Sequence, residues 1–316
     1  MRNDPHAWAV ILAGGDGTRL QALTRVISGD DRPKQFCPIF EGQTLLTQTR
    51  ERLAKTLSRD RTAFVVVKPH ERFYRDELSG VEPARMVVQP SNRGTAAGIL
   101  YSLLRIASLD EDAVVGFFPS DHYYGNEAPF LHAVHSAFVV ARQNSGAIVL
   151  LGAEPKHPEI EYGWIEPGAN IHSPFGDCSR VNRFWEKPAI EVATELQDRG
   201  CLWNTFIMVG SVRTFLEAFQ SSVPELLDRF AQTCLGADTC WEDVRRLYRT
   251  IAPTDFSRQV LSVSSERLLV VRMEHAGWSD LGKPERVIAT LATAGIKPPW
   301  AMSFGGAYPL SEKATA

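Results

Sequence analysis

Short apolar runs alternate with amphipathic stretches through the first half of the chain, and this alternation limits the fold more than any other feature. The runs are nearly continuous in apolar residues, which is typical of strands covered on both faces of a sheet. The β-α-β-α order therefore predicts an α/β fold with a doubly wound, mostly parallel, Rossmann-like sheet. In such sheets ligands bind beyond the carboxyl ends of the strands. The predicted strands are Ala7–Leu12, Ala63–Lys68, Arg85–Gln89, Ala113–Phe118 and Ala147–Gly152, and the predicted helices between them are Thr44–Leu57, Thr95–Ser108 and Ala128–Gln143.

The second half of the chain has shorter strand-like runs that are separated by loops. No internal repeat or long linker divides the chain, so we expect one domain over residues 1–295, with halves at about 1–150 and 151–295. Residues 296–316 are rich in Pro, Gly and small side chains and predict a loosely ordered tail. The predicted strands lie near Trp164–Glu166, Val181–Trp185, Asn204–Val209 and Leu268–Met273, and the predicted helices are Val212–Gln220, Pro224–Phe230, Trp241–Arg249 and Pro284–Ala294.

Composition and charge exclude several classes of protein. The chain has 316 residues, of which 44% are hydrophobic and 22% charged, as in ordinary globular proteins. A net charge of −3 without a basic cluster argues against a nucleic-acid partner. The longest apolar runs are too short to span a bilayer, and the N-terminus lacks the pattern of a secretory leader. The five cysteines have no Cys-x-x-Cys spacing, which indicates reduced thiols, a cytoplasmic location and no structural zinc.

A glycine-rich loop follows the first predicted strand directly. The loop contains Gly14, Gly15 and Gly17, whose lack of a side chain lets backbone N–H groups approach a phosphate closely. Arg19 can clamp two phosphate oxygens with its guanidinium, and Lys34 brings a second cation from the same region. The spacing fits neither the dinucleotide pattern G-x-G-x-x-G nor the P-loop. We interpret the loop as a polyphosphate site, and the alternative is a tight strand-to-helix turn.

Two carboxylates come shortly after predicted strands. Asp121 follows the strand Ala113–Phe118, and Asp280 follows the strand Leu268–Met273. Converging beside a polyphosphate loop, they would suit Mg²⁺, which takes one or two carboxylates together with phosphate oxygens. The alternative for Asp121 is a helix cap. Spacing alone does not show whether the two carboxylates meet.

Polar residues and one glycine mark the strand ends of the second half. Glu186 and Lys187 are neighbours, so on a strand only one of them would face a given ligand. The alternative is a solvated ion pair worth about 0–1 kcal/mol. Asn204 can donate and accept hydrogen bonds toward sugar hydroxyls, or it is a buried amide satisfied by the backbone. Gly163, which two aromatic residues flank, suits a flat ring lying against the backbone or a kink in the strand.

Eight segments, taken in order, resemble those of the sugar nucleotidyltransferases, and most closely those of the mannose-1-phosphate guanylyltransferases. The resemblance spans roughly residues 7–290, and the shared order of the segments makes it specific to the class. One departure is Thr205-Phe206, which stands where the family usually has Ser-Gly. The matching segments are Leu12–Leu20 (LAGGDGTRL), Arg32–Phe36 (RPKQF), Gln89–Ala96 (QPSNRGTA), Pro119–His122 (PSDH), Tyr162–Ile165 (YGWI), Arg183–Pro188 (RFWEKP), Leu202–Asn204 (LWN) and Gly277–Gly282 (GWSDLG).

The resemblance implies a role for each candidate residue. It assigns the first half of the domain to the nucleotide and the second half to the sugar, with Mg²⁺ as the cofactor. The implied nucleotide-binding residues are Gly14, Gly15, Gly17, Thr18, Gln89, Asn92 and Thr95, the sugar-binding residues are Gly163, Glu186 and Asn204, the metal ligands are Asp121 and Asp280, and the catalytic residues are Arg19 and Lys34 at the triphosphate and Lys187 at the sugar phosphate.

The reaction implied by the resemblance is nucleotidyl transfer from GTP to mannose 1-phosphate, giving GDP-mannose and pyrophosphate. One alternative is the same reaction with UTP or dTTP and glucose 1-phosphate. A second is a non-catalytic nucleotide-sugar sensor, against which the full set of charged residues argues. A glycosyltransferase would want an Asp-x-Asp motif, and Asp110-Glu111-Asp112 precedes a predicted strand instead of ending one. No feature of the sequence sets the oligomeric state, and a homodimer stays open.

Overall fold

The computed structural model describes residues 1–40, 42–171, 178–234 and 240–304. The strands are β1 Ala7–Leu12, β2 Thr62–Val67, β3 Met86–Gln89, β4 Val114–Pro119, β5 Tyr123–Tyr124, β6 Ile148–Ala153, β7 Gly163–Ile171, β8 Cys178–Glu186, β9 Leu202–Ser211, β10 Leu268–Met273 and β11 Trp278–Ser279. The helices are α1 Gln21–Ser28, α2 Leu45–Ala54, α3 Glu71–Tyr74, α4 Thr95–Ala107, α5 Glu127–Gln143, α6 Ile190–Asp198, α7 Val212–Ser222, α8 Pro224–Cys234, α9 Trp241–Thr250, α10 Phe256–Gln259, α11 Pro284–Ala294 and α12 Pro299–Phe304.

Nine of the described strands form one mixed sheet in the order β3-β2-β1-β4-β9-β6-β10-β8-β7. The strands of the first half, β3, β2, β1 and β4, pair in parallel, as do β6 and β10. By contrast, β9 runs antiparallel between β4 and β6, and β8 runs antiparallel to both β10 and β7. The predicted α/β fold is confirmed, but the sheet is mixed and not mostly parallel: four strand pairings of the described sheet are parallel and five are antiparallel, because β9, β8 and β7 return against their neighbours.

The sheet is covered on both faces, which explains the nearly continuous apolar runs. Along β1, Ala7, Ala9 and Ile11 belong to the apolar cluster on one face, whereas Trp8 and Val10 belong to the cluster on the other. Successive strand residues point to opposite faces, so a strand with two covered faces needs apolar residues at every position. The two clusters hold the strand ends, and the loops that follow them, in fixed positions.

Helix α4 is buried on nearly every face because the sheet covers one side of it and other helices cover the opposite side. It lies against β2 and β3 on its inner side and against α7 and α8 on its outer side. Residues 96–104 are all buried. A helix that is apolar on every face fits only such a position. The segment 89–96, which precedes and begins this helix, is thereby anchored beside the end of β3.

The two-residue strands β5 and β11 pair antiparallel, with Trp278 opposite Tyr124 and Ser279 opposite Tyr123. This small ladder joins the segment after β4 to the segment after β10. Neither strand was predicted, because two residues carry no periodic pattern. The ladder brings Asp121, just before β5, close to Asp280, just after β11.

Most predicted elements form within two or three residues of their expected ends, and α11 begins and ends where predicted. Pro284 occupies the first turn of α11, and Gly295 ends it in the left-handed conformation. Of the tail, residues 299–304 form α12, and the Trp300 indole Nε1 donates to the Ile39 carbonyl at 3.3 Å. Residues 305–316 lie outside the described residues. Among the helices that the structure describes, none is both long and apolar enough to cross a membrane.

Candidate functional site

The glycine loop leaves β1 at the carboxyl edge of the sheet, as predicted. Gly17 has φ = 62°, in the left-handed region that favours glycine. A Cβ at this position would lie 3.1 Å from both Pro33 Cα and Lys34 N, so the loop and the segment that bears Lys34 are in close backbone contact. Gly15 and Arg19 are exposed. The loop therefore presents backbone and a guanidinium to solvent at the edge where ligands bind.

Gln35 anchors this loop, and the sequence analysis assigned it no role. Its side chain is 1% exposed, and its Nε2 donates to the Ala13 carbonyl at 3.1 Å and to the Gly15 carbonyl at 2.8 Å. The two carbonyl groups of the loop thus share one side-chain donor from outside the loop. Gln35 follows Lys34 in the RPKQF segment, but sequence alone does not show which loop a buried amide contacts.

We expect Gln35→Leu to lower the free energy of unfolding by about 1–3 kcal/mol, because two loop carbonyls lose a buried donor. Urea unfolding followed by circular dichroism measures the change. Gln143→Leu at the exposed end of α5 is the matched control. Equal stability of the two variants would show that Gln35 does not hold the loop.

Lys34 contacts both of the residues that are predicted to bind a metal, Asp121 through its carboxylate and Asp280 through its backbone. Its Nζ lies 3.3 Å from Asp121 Oδ2. The same ammonium group donates to the backbone carbonyl of Asp280 and, at 3.4 Å, to that of Leu281. The Lys34 side chain is 13% exposed, so these contacts are little screened by water. The structure thus brings Lys34, Asp121 and Asp280 together beside the glycine loop.

Asp280 is held through a single carboxylate oxygen. Oδ1 accepts hydrogen bonds from the Tyr162 hydroxyl at 2.7 Å, from Arg286 Nη1 at 2.6 Å and from the Gly282 amide at 3.0 Å. Burial raises the pKa of Asp280, but the positive charges of Lys34 and Arg286 outweigh it and hold this pKa at about 2. The carboxylate is therefore ionised at neutral pH.

A network of charges connects the glycine loop to Arg286. Glu161 Oε2 contacts Arg19 Nη1 at 3.2 Å, Lys283 Nζ at 3.1 Å and Arg286 Nη2 at 2.7 Å. Arg286 Nη2 also contacts Glu159 Oε2 at 3.0 Å. Sequence reasoning missed Arg286, Lys283 and Glu159. No local pattern distinguishes a functional arginine in the first turn of a helix from a solvated one.

His122 lies beside Asp121 but carries no charge. Its Nδ1 accepts a hydrogen bond from the Trp278 indole Nε1 at 3.2 Å, and its Nε2 is 3.9 Å from Asp121 Oδ1. Burial lowers the pKa of His122 to about 4. At neutral pH the imidazole is neutral and fixes the β5–β11 ladder through Trp278.

The three predicted sugar-binding residues lie together. Gly163 is opposite Glu186 in the β7–β8 register. A Cβ on Gly163 would lie 3.1 Å from Glu186 Oε2 and 3.3 Å from Asn204 Cβ. Burial raises the pKa of Glu186 above its ordinary value. Asn204 Oδ1 accepts from the Phe206 amide at 3.1 Å, and its Nδ2 makes no hydrogen bond within the described part of the chain.

Two residues near this group have positive φ. Phe206 (φ = 60°) lies at an irregularity in the β6–β9 pairing, where the resemblance leads one to expect glycine. A non-glycine residue in this conformation costs about 1–3 kcal/mol. Its ring packs against the apolar cluster that includes Phe184 and Leu202. Lys187 (φ = 49°) is exposed, and its Nζ lies 3.7 Å from Glu186 Oε1. The turn at Lys187 directs the chain out of β8 beside the group formed by Gly163, Glu186 and Asn204.

We expect Gly163→Ala to raise the KM for a sugar phosphate by about tenfold, because the new methyl group would enter the space between Glu186 and Asn204. It would also lie 2.8 Å from Phe184 Cζ, so some loss of stability, about 1–3 kcal/mol, should accompany it. Steady-state kinetics with the sugar phosphate varied measures the effect. Gly80→Ala is the control, since no atom lies within 4 Å of a Cβ there. An unchanged KM would remove Gly163 from the sugar site.

The remaining predicted nucleotide residues lie around the glycine loop and the start of α4. Gln89 is 4% exposed, and its Oε1 accepts from the Tyr248 hydroxyl at 3.1 Å. Asn92 Nδ2 donates to Asp16 Oδ2 in the glycine loop at 3.0 Å. Thr95 Oγ1 accepts from the Phe256 amide at 2.8 Å. Asn92 is thus joined to the glycine loop.

Thr18 and Gly14 complete the predicted nucleotide set. Thr18 is exposed at the start of a short 3-10 turn after Gly17. A Cβ on Gly14 would lie 3.0 Å from Gln89 Nε2, so the buried Gln89 amide lies directly behind the loop. The structure therefore places Gln89 against Gly14, on the buried side of the loop.

The carboxylate oxygens beside Lys34 fit a hard divalent cation whose other ligands come from a substrate and from water. No cluster of three or more His, Cys, Asp or Glu side chains suited to a metal occurs among the described residues. Asp121 and Asp280 supply two carboxylates, and Mg²⁺ commonly binds to one or two carboxylates plus phosphate oxygens and water. A polyphosphate on the glycine loop would supply those oxygens.

A protein-family model described as Nucleotidyl transferase matches residues 8–294 of this chain. The chain is 30% identical over 286 residues to xanthan biosynthesis protein XanB of Xanthomonas campestris pv. campestris (strain B100), covering 86% of this chain and 57% of that protein. It is 29% identical over 304 residues to a mannose-1-phosphate guanylyltransferase of Sinorhizobium fredii (strain NBRC 101917 / NGR234), covering 91% and 56%. A solved structure described as mannose-1-phosphate geranyltransferase from Thermus thermophilus is similar at 30% identity and a TM-score of 0.77, covering 90% of this chain and 79% of that one. The chain spans little more than half the length of the two curated relatives.

Proposed function

This chain belongs to the nucleotidyl transferase family, and from that premise we propose that it transfers the guanylyl group of GTP to mannose 1-phosphate, giving GDP-mannose and pyrophosphate. The family predicted from the eight segments is confirmed by the match over residues 8–294. Support for guanine and mannose comes from relatives named mannose-1-phosphate guanylyltransferase, in Sinorhizobium fredii and in Escherichia coli. Because the chain covers little more than half of each, the substrates are part of the proposal.

The observation that carries the proposal is the position of Lys34. It lies between the Asp121 carboxylate and the Asp280 backbone, next to the glycine loop that bears Arg19. Cations and carboxylates meet here, and the neighbouring His122, whose pKa burial lowers to about 4, is only a weak base at neutral pH. Phosphoryl-type transfer needs this kind of site, because positioning and electrostatics supply almost all of its catalysis.

The reaction forms one bond and breaks one. An oxygen of the mannose 1-phosphate attacks the α-phosphorus of GTP, and the bond from that phosphorus to the bridging oxygen breaks, so pyrophosphate leaves with its electron pair. A phosphate monoester carries nearly two charges at neutral pH, so no general base has to activate it. Arg19 and Lys34 would screen the triphosphate, and Lys187 would hold the attacking phosphate. Their charges offset the repulsion between two anionic substrates.

Asp121 and Asp280 would hold Mg²⁺, which fits the ionised Asp280 carboxylate and the place of both residues beside the glycine loop. The ion would add positive charge where negative charge develops on the phosphates. Lys34 contacts both aspartate residues, so it would hold them in place as well as screen phosphate oxygens.

Arg19 makes an ion pair with Glu161 at 3.2 Å. Because its side chain is 59% exposed, this pair is weak and open to exchange. Phosphate oxygens would replace Glu161, which keeps two other cationic partners, Lys283 and Arg286. At the other end, the Asn204 amide and the Glu186 carboxyl would contact the hexose hydroxyls beside Gly163.

Pyrophosphate release from the purified protein tests the proposal. GTP, UTP, dTTP, CTP and ATP are each combined with mannose 1-phosphate and with glucose 1-phosphate in the presence of Mg²⁺. We expect release with GTP and mannose 1-phosphate at a kcat/KM well above that of any other pair. Selective release with another pair would replace the substrates and keep the reaction class. Folded protein that releases no pyrophosphate with any pair would contradict the proposal. A cytoplasmic location and a homodimer stay predictions of the sequence.

A further inference from the structure

Arg286 makes an unusually complete set of contacts for a residue in the first turn of a helix. Nη1 donates to Asp280 Oδ1 at 2.6 Å and to the Tyr162 hydroxyl at 2.7 Å. Nη2 donates to Glu159 at 3.0 Å and to Glu161 at 2.7 Å. The guanidinium also lies 4.7 Å from the centre of the Tyr162 ring, and the side chain is 15% exposed. A side chain fixed on this many sides has one orientation.

The contacts divide the two oxygens of Asp280 into different roles. Oδ1 already accepts from Tyr162, Arg286 and the Gly282 amide, which uses the lone pairs of that oxygen. Within the part of the chain that the structure describes, Oδ2 accepts no hydrogen bond. A cation approaching this carboxylate therefore finds Oδ2 free and Oδ1 engaged.

The charge of Arg286 is shared, so it does not cancel that of Asp280. Glu159 and Glu161 contact the second nitrogen of the guanidinium, and Glu159 is 10% exposed. Three carboxylates thus surround one arginine. Asp280 keeps a net attraction for a divalent cation while its side chain is held in place. An arginine with Asp280 as its sole partner would compete with a cation instead.

We propose that Arg286 is a positioning residue that fixes Asp280 through Oδ1 and leaves Oδ2 as the single oxygen offered to Mg²⁺. This inference rests on the proposed function, which supplies the Mg²⁺-dependent nucleotidyl transfer in which Asp280 would take part. Arg286 acts through Asp280 and touches no substrate. Its loss should weaken metal binding and leave the sugar site unchanged, because partners that orient metal ligands typically contribute 10- to 100-fold in affinity, as an order of magnitude.

The test measures Mn²⁺ binding to the full chain by electron paramagnetic resonance in the presence of α,β-methylene GTP, and the Mg²⁺ dependence of pyrophosphate release. We expect Arg286→Leu to raise the Mn²⁺ dissociation constant and the half-saturating Mg²⁺ concentration by about 10- to 100-fold. The KM for mannose 1-phosphate at saturating Mg²⁺ should stay within about twofold of the unaltered protein, and Arg286→Lys should be intermediate, since an ammonium lacks the planar fork.

Lys283→Leu is the matched control, because Lys283 contacts Glu161 but not Asp280 and carries the same charge. It should bind Mn²⁺ like the unaltered protein. Tyr162→Phe removes one donor to Oδ1 and keeps the ring, so it should shift Mn²⁺ binding in the same direction by a smaller factor. If Arg286→Leu fails to fold, Tyr162→Phe still tests whether the donors to Oδ1 position Asp280 for the metal ion.

Three results would overturn the inference. The first is an unchanged Mn²⁺ dissociation constant in Arg286→Leu. The second is tighter Mn²⁺ binding in that variant, which would mean that Arg286 competes with the metal ion. The third is a loss of Mn²⁺ affinity in Lys283→Leu that equals the loss in Arg286→Leu. Failure of the proposed function has a different signature. The unaltered protein would then release no pyrophosphate with any pair, while the Mn²⁺ measurement, which needs no turnover, would still decide the role of Arg286.

Discussion

Asp121→Asn should lower kcat for pyrophosphate release by about 1,000-fold or more, with the fold intact. The substitution keeps the shape of the side chain and removes its charge. Asp121 Oδ2 lies 3.3 Å from Lys34 Nζ, so the change takes away the carboxylate that would bind Mg²⁺ and leaves the lysine without its charged partner. Purified protein is assayed at saturating GTP and mannose 1-phosphate, and its fold is checked by circular dichroism.

Asp112→Asn is the matched control, because Asp112 is exposed just before β4 and lies at the opposite end of that strand from Asp121. It should keep full activity. Near-normal turnover in Asp121→Asn would remove Asp121 from the mechanism. Asp280→Asn is a less clean variant, because Arg286 would keep its buried charge beside a neutral amide, and a loss of stability would accompany the loss of activity.

Lys34→Met should lower kcat/KM for GTP by about 100- to 1,000-fold. Methionine keeps the unbranched shape and most of the length of the lysine side chain, and it removes the charge and the hydrogen-bond donors. Without the ammonium group, the Asp121 and Asp280 carboxylates repel each other, and the triphosphate loses a cation. The backbone carbonyls of Asp280 and Leu281 also lose their donor, so the loop after β11 should be held less firmly. Initial rates at varied GTP separate kcat from KM.

Lys68→Met is the control for a lost lysine, since Lys68 is 51% exposed and pairs with Glu71 one helical turn away. Its kinetics should be unchanged. Wild-type values of both kcat and KM in Lys34→Met would contradict the role given to Lys34. A lower thermal midpoint accompanied by normal kinetics would show that Lys34 stabilises the loop without acting on the nucleotide.

The strands of the first half could be predicted because local composition determines them. β1 has the predicted bounds, as does β10 in the second half; β2, β4 and β6 differ from prediction by one residue at each end, and β3 differs by one residue at its start. A strand covered on both faces must be apolar throughout, and that requirement is visible in a few consecutive letters. α11 was equally clear, because Pro284 and Gly295 mark its ends by their own backbone preferences.

Elements that depend on distant partners were missed. β5 and β11 exist because two segments meet after β4 and β10, and neither segment alone forms a strand. α6, at Ile190–Asp198, buries only Ala193 and Leu196 of its nine residues. The positive φ of Phe206 likewise follows from an irregular pairing of β9 with β6, which no local preference of phenylalanine predicts.

The chemical groups available to this protein are local properties of the chain: a glycine loop with Arg19, carboxylates after two strands, and a Glu-Lys pair at the end of a third. Each residue type follows its strand whatever its neighbours in space, so the amino-acid sequence was enough to predict them. Packing of the sheet and helices, by contrast, places Lys34 between Asp121 and Asp280 and lets Arg286 hold one oxygen of Asp280. Lys34 and Asp280 are 246 residues apart in the chain, and Arg286 is 124 residues from Tyr162. Contacts over such separations depend on how distant segments pack together, which spacing along the chain does not encode.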